Sequence, residues 1–431
     1  MTKKILICTV GGSSEPIVHT IETHRPDQVC FVCSANDPAT GSKGSWQQIR
    51  GKGNVTLARA GDPQPSLPNI PTRTGLAEDQ YEILEVIADD LDGVYTRVTD
   101  WLMRHDPGET QILADYTGGT KTMSAGLVAA ALDTEGVELH LVSGSRSGLT
   151  RVDAGQAMVM PASIEAIQFQ RRFRVAVAPW HRHAYSESAM LLEDIPPPRD
   201  AGMRGALTRA IALSRALDAW DRFDHEAANR QLSSFRQTLG REGFGDLLGT
   251  LKLLVEESPA REPLRLLDLW RNAQRRAVQG RHDDATARLY RLLEWSAQWI
   301  LREKAGIDTA DVPPERIPEG LTLQPNDKGQ YQAGLFNAWR LAAAHGGEQV
   351  QAFWNTQQGH IREHIGKRNR SILAHGFDTL THEGWLDFSN WIEQHLLPLI
   401  LDLSAAPPVR IHKLPGQLPD TYPFEPATQP R

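Results

Sequence analysis

The strongest constraint on this chain is a change of period part-way along it. Up to residue 165, short runs rich in β-branched and apolar residues alternate with longer stretches whose apolar residues recur at helical spacing. The clearest short runs are KILICTV, QVCFVCS, TQILADY and VELHLVS, with ADDLDGVYTRVTDWLMRH and TKTMSAGLVAAALDTEG as helical partners. Strands that alternate with helices are joined by crossovers, so a Rossmann-like, parallel α/β sheet is predicted here. Beyond it, FQRRFRVAVAPWHRHAY reads as one more strand or a connector, and EDIPPPRDAG as a Pro-rich break. The following segments, from GALTRAIALSRALDAW to HEGWLDFSNWIEQHLLPLILDL, have apolar residues at helical spacing, with DVPPERIPEGLTLQPNDKG between them read as a loop. The expected organisation is an α/β domain over 1–165, a helical linker over 166–265, a second all-α domain over 266–403 and a Pro-rich tail over 404–431. That tail either packs on the surface or stays mobile. An echo between AWDRFDHEAANRQL and AVQGRHDDATARLYRLL is too weak for a solenoid.

Several function classes are excluded by simpler features. A chain of 431 residues can bury its cores without staples, and its three cysteines are an odd count that fits reduced thiols. Cys30 and Cys33 form a C-x-x-C inside a strand pattern, whereas a redox pair opens a helix. Glycines and a glutamate interrupt the first apolar run too early for a signal segment, and no run approaches the roughly 18 apolar residues of a spanning helix. A cytoplasmic protein with no membrane partner is expected. The net charge of −7 argues against a surface coated for bulk nucleic-acid binding, and leaves room for a local basic channel.

Three polar or glycine loops follow predicted strands: TVGGSSEP, DYTGGTKT and SGSRSG. In an open parallel sheet the carboxyl ends of the strands share one edge, so these loops are expected to converge. They carry Thr9, Gly11, Gly12, Ser13, Ser14, Thr117, Gly118, Gly119, Thr120, Lys121, Ser145 and Arg146. Backbone N–H groups, hydroxyls and two cations on one edge suit a phosphodiester. The loop before Lys121 is not a P-loop, because Thr120 stands where G-K requires glycine, and G-x-G-x-x-G is also missing. A purely structural reading also exists, in which the glycines allow tight turns and Thr120 caps the next helix.

The stretches TVGGSSEPI, DYTGGTKTMSAGL, ALDAWDRFDHEAA and LWRNAQRRAVQGRHDDATARLYRLLE resemble CRISPR-associated proteins of type III systems, in which a CARF sensor domain precedes a HEPN domain. The resemblance spans the chain up to its tail. It implies a homodimer whose CARF pair binds a cyclic tetra- or hexa-adenylate across the two-fold axis, a symmetric pocket for a symmetric ligand. The VGGSS and TGGTK loops would then contact the ribose-phosphate ring, with Lys121 on a phosphate. In some relatives this loop also helps cleave the ring.

GKRNRSILAHG carries the second resemblance. HEPN ribonucleases are similar in having R-x4-6-H, and here Arg368, Asn369 and His375 satisfy it, as do Arg370 and His375. In an unbroken helix Arg368 and His375 share a face, whereas Arg370 and His375 point about 140° apart. On that geometry Arg368 is the catalytic arginine and Arg370, with Lys367, contacts RNA; a break within the motif reopens the choice. His375 moves a proton, Arg368 stabilises charge on the phosphorane and Asn369 orients a group. The expected reaction uses the 2′-hydroxyl of single-stranded RNA, leaves a 2′,3′-cyclic phosphate and a 5′-hydroxyl, and needs no cofactor or metal. One Arg–His pair per chain is meagre for an acid and a base, so a composite site across a homodimer is expected. Arg362 adds to the local positive patch.

Other readings compete. The motif could be a solvated helix end, with His375 before a terminating Gly376, and the helical half a catalytically inactive dimerisation module of a nucleotide-sensing scaffold. HIREH, with His360 and His364 on one helical face, matches the H-x-x-E-H zinc-peptidase pattern but has no evident third ligand. His181 and His183 are expected to be polar surface residues.

Overall fold

The computed structural model describes residues 2–38, 41, 43–50, 54–55, 67–143, 146–147, 151–152, 158–241, 244–372 and 376–424. The chain divides into two compact units, Met1–Arg171 and Arg172–Arg431.

The first unit is built on a six-stranded sheet: β1 (Lys3–Val10), β2 (Gln28–Ser34), β3 (Tyr81–Val86), β4 (Thr110–Asp115), β5 (Val137–Ser143) and β6 (Met158–Ala162). Their order is β6-β5-β4-β1-β2-β3. All neighbours are parallel except β6, which runs antiparallel along β5. The sheet is therefore mixed at one edge, where a parallel one was expected. β1 reads as a continuous apolar run because both its faces are covered. Ile5 and Ile7 join one core, Leu6, Cys8 and Val10 the other. The same alternation separates Cys30 from Cys33, which face opposite cores, so these two thiols cannot form a redox pair. Burial also raises both thiols above their ordinary range.

Helices α1 (Glu15–His24), α2 (Leu91–Leu102) and α3 (Lys121–Asp133) cover the sheet. α3 is rich in Ala and sits close to α2: a side chain at Gly126 would meet Val94 at 2.5 Å. Besides the short helices Ile70–Thr74 and Arg236–Arg241, the chain forms α4 (Glu165–Val177), α5 (Tyr185–Glu193), α6 (Ala201–Asp221), α7 (His225–Ser233), α8 (Gly245–Val255), α9 (Arg261–Val278), α10 (His282–Ala305), α11 (Leu335–His345), α12 (Glu348–Asn369), α13 (His382–Trp391) and α14 (Leu397–Ala405). FQRRFRVAVAPWHRHAY is thus no strand: it forms α4 and a 3₁₀ turn over Ala178–Arg182. Side-chain caps begin several helices, Asp200 accepting from the Met203 N–H at 2.8 Å and Asp224 from Ala227 at 2.9 Å. A π-turn over Ile392–Leu396 joins α13 to α14 just before Pro398, whose missing N–H cannot continue the ordinary ladder.

One core serves the whole helical unit. Leu213, Leu217, Leu251 and Leu254, from the stretch read as a linker, share it with Leu289, Trp339 and Ile400. The tail packs against it as far as Phe424: the Tyr422 ring lies 5.2 Å from Trp180, the Tyr185 hydroxyl donates to Pro419 O at 2.6 Å, and Arg271 Nε donates to Pro415 O at 2.9 Å. His183 is buried beside the Tyr185 hydroxyl at 3.0 Å, where a surface residue was expected.

Within this core lies a polar network that the amphipathic pattern of α9 does not announce. Asp268, Asn272 and Arg275 follow one another at spacings of four and three, and so share the buried face of α9. Asp221, at the end of α6, accepts from Arg275 Nε at 2.7 Å and Asn272 Nδ2 at 2.8 Å, and pairs with Arg276. Asp268 accepts from Trp220 Nε1 at 3.1 Å and lies 2.9 Å from His225 Nε2, while Arg275 Nη1 donates to Gln417 at 2.6 Å. Removing one partner of a buried pair leaves an uncompensated charge. Arg275→Ala is expected to destabilise the helical unit by roughly 3–5 kcal/mol, measured by urea denaturation followed through tryptophan fluorescence.

Candidate functional site

The loops after β1 and β4 meet at one sheet edge, as expected, and do so at main-chain distance. A Cβ on Gly118 would stand 2.2 Å from Thr9 O, and one on Gly11 would stand 2.7 Å from Gly119 N. Gly119 also has φ +77°, a conformation that favours glycine. Fully buried Thr9 donates its hydroxyl to Gly118 O at 2.8 Å, and Ser124 donates to the same oxygen at 2.7 Å. The Thr117 hydroxyl accepts from the Val142 N–H at 2.7 Å, tying the loop to β5. Thr120 caps α3, accepting from Met123 N at 3.2 Å and donating to Ala88 O at 2.7 Å. Buried Ser14 accepts from Arg73 Nη1 at 3.0 Å. These hydroxyls hold the loops in shape rather than face outward.

What the edge presents is Gly12, Ser13 and Lys121, all exposed. Lys121 opens α3, where unpaired helix N–H groups and the positive end of the helix dipole add to its charge; it has no ion-pair partner among the described residues. Ser145 lies outside the described residues, and Arg146 pairs through its backbone with Val152 in a short antiparallel ribbon. Sequence reading missed three organisers. Asp115 is buried, accepts from the Thr117 N–H at 2.8 Å and bonds the Thr20 hydroxyl; Gln48 donates to Gly11 O; Arg73 holds Ser14. Only Asp115 left a signal, an Asp two residues before the N–H it binds, the pattern of an Asx turn.

In the helical unit, α12 stops inside the R-x-H motif. Asn369 is its last residue and Arg370 its C-cap. The chain then turns back: Ser371 N donates to Arg368 O at 2.9 Å, Asp378 N to Arg370 O at 3.0 Å, and Ile372 N to Asp378 O at 3.1 Å. The unbroken helix on which the choice of arginine rested is therefore absent, and His375 lies outside the described residues. Electrostatics separates the two arginines instead. Arg370 is exposed, with Nε 4.0 Å from Asp378. Arg368 lies with its guanidinium carbon 4.6 Å from the centre of the Tyr290 ring on α10, its Nε is buried without an acceptor, and it has no carboxylate partner among the described residues. Lys367, expected to touch RNA, is held by Asp387 at 2.7 Å and Glu363 at 2.8 Å, which raise its ammonium pKa. Asn369 is exposed, Arg362 lies over Phe336, and the turn leaves Ile372 and Phe377 in solvent.

Residues 256–397 match the family described as the Csm6 HEPN domain. Among solved structures, Enterococcus italicus Csm6 bound to cyclic hexa-2′-fluoro-hexa-dAMP superposes with a TM-score of 0.54 at 13% identity, covering 92% of this chain and 94% of that one. Residues 256–397 thus carry a HEPN domain of the Csm6 type, and the chain shares the fold of that Csm6. Can2 from Sulfobacillus thermosulfidooxidans in complex with cyclic tetra-adenylate aligns at 11% identity over 56% of this chain and 68% of that one, with a TM-score of 0.24. No curated protein matches the chain. No helix among the described residues is long and apolar enough to cross a membrane.

The HIREH stretch lies within this HEPN domain, and its two histidines are not equivalent. His360 is exposed, whereas His364 is buried and stacked on Phe388 with ring centroids 4.2 Å apart and planes at 15°. Desolvation pushes its pKa down to about 4. The unfolded imidazole takes up a proton below about pH 6.5, and the folded one does so only near 4, so acid favours the unfolded chain across that window. Thermal melts should show stability falling between pH 6.5 and pH 4 more steeply in the wild type than in His364→Phe, which keeps the stack without the titrating group.

Proposed function

We propose that this protein is a metal-independent endoribonuclease that cleaves single-stranded RNA when a cyclic oligoadenylate binds its CARF unit, as part of type III CRISPR antiviral defence. The observation that carries the reading is Arg368: in a Csm6-type HEPN domain, seven residues before His375, it is a shielded guanidinium with no carboxylate among the described residues to neutralise it. Such a cation suits the charge that develops on a phosphorane. His375 takes the proton of the attacking 2′-hydroxyl or returns one to the leaving 5′-oxygen, Asn369 orients a group by hydrogen bonding, and the products are a 2′,3′-cyclic phosphate and a 5′-hydroxyl. DNA lacks the nucleophile. Two chains meeting at this motif supply both an acid and a base, so the working form is a homodimer. Arg370, exposed beside the motif, contacts the RNA backbone.

For the activator, the fold shared with a Csm6 bound to a cyclic hexanucleotide analogue supports the reading, together with the cation and free amides at the start of α3. Lys121 pairs with a phosphate, while Gly12 and Ser13 let the backbone approach the ring. Residues 166–265 are proposed to transmit the signal, as a difference in free energy between resting and cleaving arrangements.

The test is cleavage of a fluorophore–quencher RNA by purified protein in EDTA, with no activator, cyclic tetra-adenylate or cyclic hexa-adenylate. Cleavage with one ring only is expected, and Arg368→Ala and His375→Ala should each lower its rate about 100-fold or more. Silence with both rings, when each binds, would make the protein a sensing scaffold instead. Isothermal titration of the activating ring should show Lys121→Ala weakening its affinity about tenfold.

A further inference from the structure

The ring beneath Arg368 has no part in the motif, yet it determines how the arginine is held. Tyr290 sits on α10, half-buried and packed against the core of the helical unit, so its plane is set by the fold and not by the loop that follows Arg368. The guanidinium lies over that ring at 4.6 Å, one residue before the helix ends. Several other arginines of this unit are held by acids: Arg275 by Asp221 at 2.7 Å, Arg215 by Glu193 at 2.7 Å, Arg291 by Glu294 at 2.7 Å. An acid neutralises the charge and occupies the N–H donors in the guanidinium plane. An aromatic face does neither, because it attracts the cation through the plane's flat side and leaves the in-plane donors free. Without the ring, a long side chain at a frayed helix end would spread over many rotamers.

We propose that Tyr290 is a positioning residue for the RNA-cleaving arginine: its ring face fixes the Arg368 guanidinium while keeping its charge and its terminal Nη donors available to the scissile phosphate. The assignment rests on the ribonuclease reading above. The phenol hydroxyl has no part in it; burial raises its pKa and keeps it protonated.

The decisive variable is the electron density of the ring at constant shape. Tyr290→Phe, and then mono-, di- and trifluorinated phenylalanine incorporated at position 290, are compared in the activated RNA-cleavage assay. Tyr290→Phe should keep kcat within about twofold of the wild type, and each added fluorine should lower kcat further, reaching about tenfold, with KM and melting temperature unchanged. As a measure that needs no turnover, the NMR order parameter of the Arg368 Nε–H should fall in the trifluorinated protein. A flat series, with Arg368→Ala inactive, overturns the positioning role and leaves the ribonuclease reading standing. Loss already complete in Tyr290→Phe also overturns it, since the hydroxyl would then be the acting group. An Arg368→Ala protein that cleaves like the wild type removes the ribonuclease assignment of Arg368 itself.

Discussion

The helical unit depends on one buried carboxylate. Asp221 ends α6 at 4% exposure, where an unpaired charge would cost several kcal/mol, and so it must be met by donors from elsewhere in the chain. Arg275, Arg276 and Asn272 on α9 meet it, and Asn272 in turn accepts from Arg288 on α10. The tail is drawn in through Gln417 on Arg275. A hydrophobic core alone would tolerate small slides of one helix along another; charge-assisted bonds of fixed length do not, so α9 and α10 are held in a single register. α10 carries Tyr290, and the placement of Arg368 is therefore referred, through that ring, to the same network.

The sensor edge is governed by space where the helical unit is governed by charge. Main chain meets main chain where the VGG and TGG loops touch, and neither Gly11 nor Gly118 has room for a side chain. With the loops that close, the hydroxyls of Thr9, Thr117 and Thr120 are turned inward onto backbone atoms and become part of the frame. A rigid frame leaves a short list of groups for a ligand: amides at a helix start, exposed Gly12 and Ser13, and a lysine with no carboxylate partner among the described residues. Pre-set donors of this kind bind a phosphate with little ordering cost.

The two halves of the chain were readable from sequence to different depths. β1, β2, β4 and β5 show as apolar runs because they lie inside the sheet with both faces covered. β3 and β6 are edge strands, and their exposed positions, such as Glu82 in YEILEV and Met158 in MVMPA, blur the pattern. The converging glycine loops could be inferred from chain direction, since every parallel strand ends at the same edge. The inward turn of their hydroxyls could not, because it depends on atoms more than a hundred residues apart, as with Thr9 and Gly118. In the same way the R-x-H spacing was visible, but the end of α12 at Asn369 was not: Asp378 stops the helix by taking up the main chain of Arg370 and Ile372.

Sequence by itself determined the class of each half, the residues that could bear chemistry and the order in which they occur. Period, glycine content and the types of polar residue are local properties, and local properties survive without a fold. Tertiary structure alone decided which of those residues are spent on the frame and which remain free. Lys367 and Lys121 are both lysines in promising motifs, yet Lys367 is neutralised by Glu363 and Asp387 while Lys121 stands unpaired among the described residues. Arg368 is set apart from exposed Arg370 by a ring that the chain placed on α10, far away in sequence. Whether a charge is available depends on what packs beside it, and that is set by contacts between distant segments.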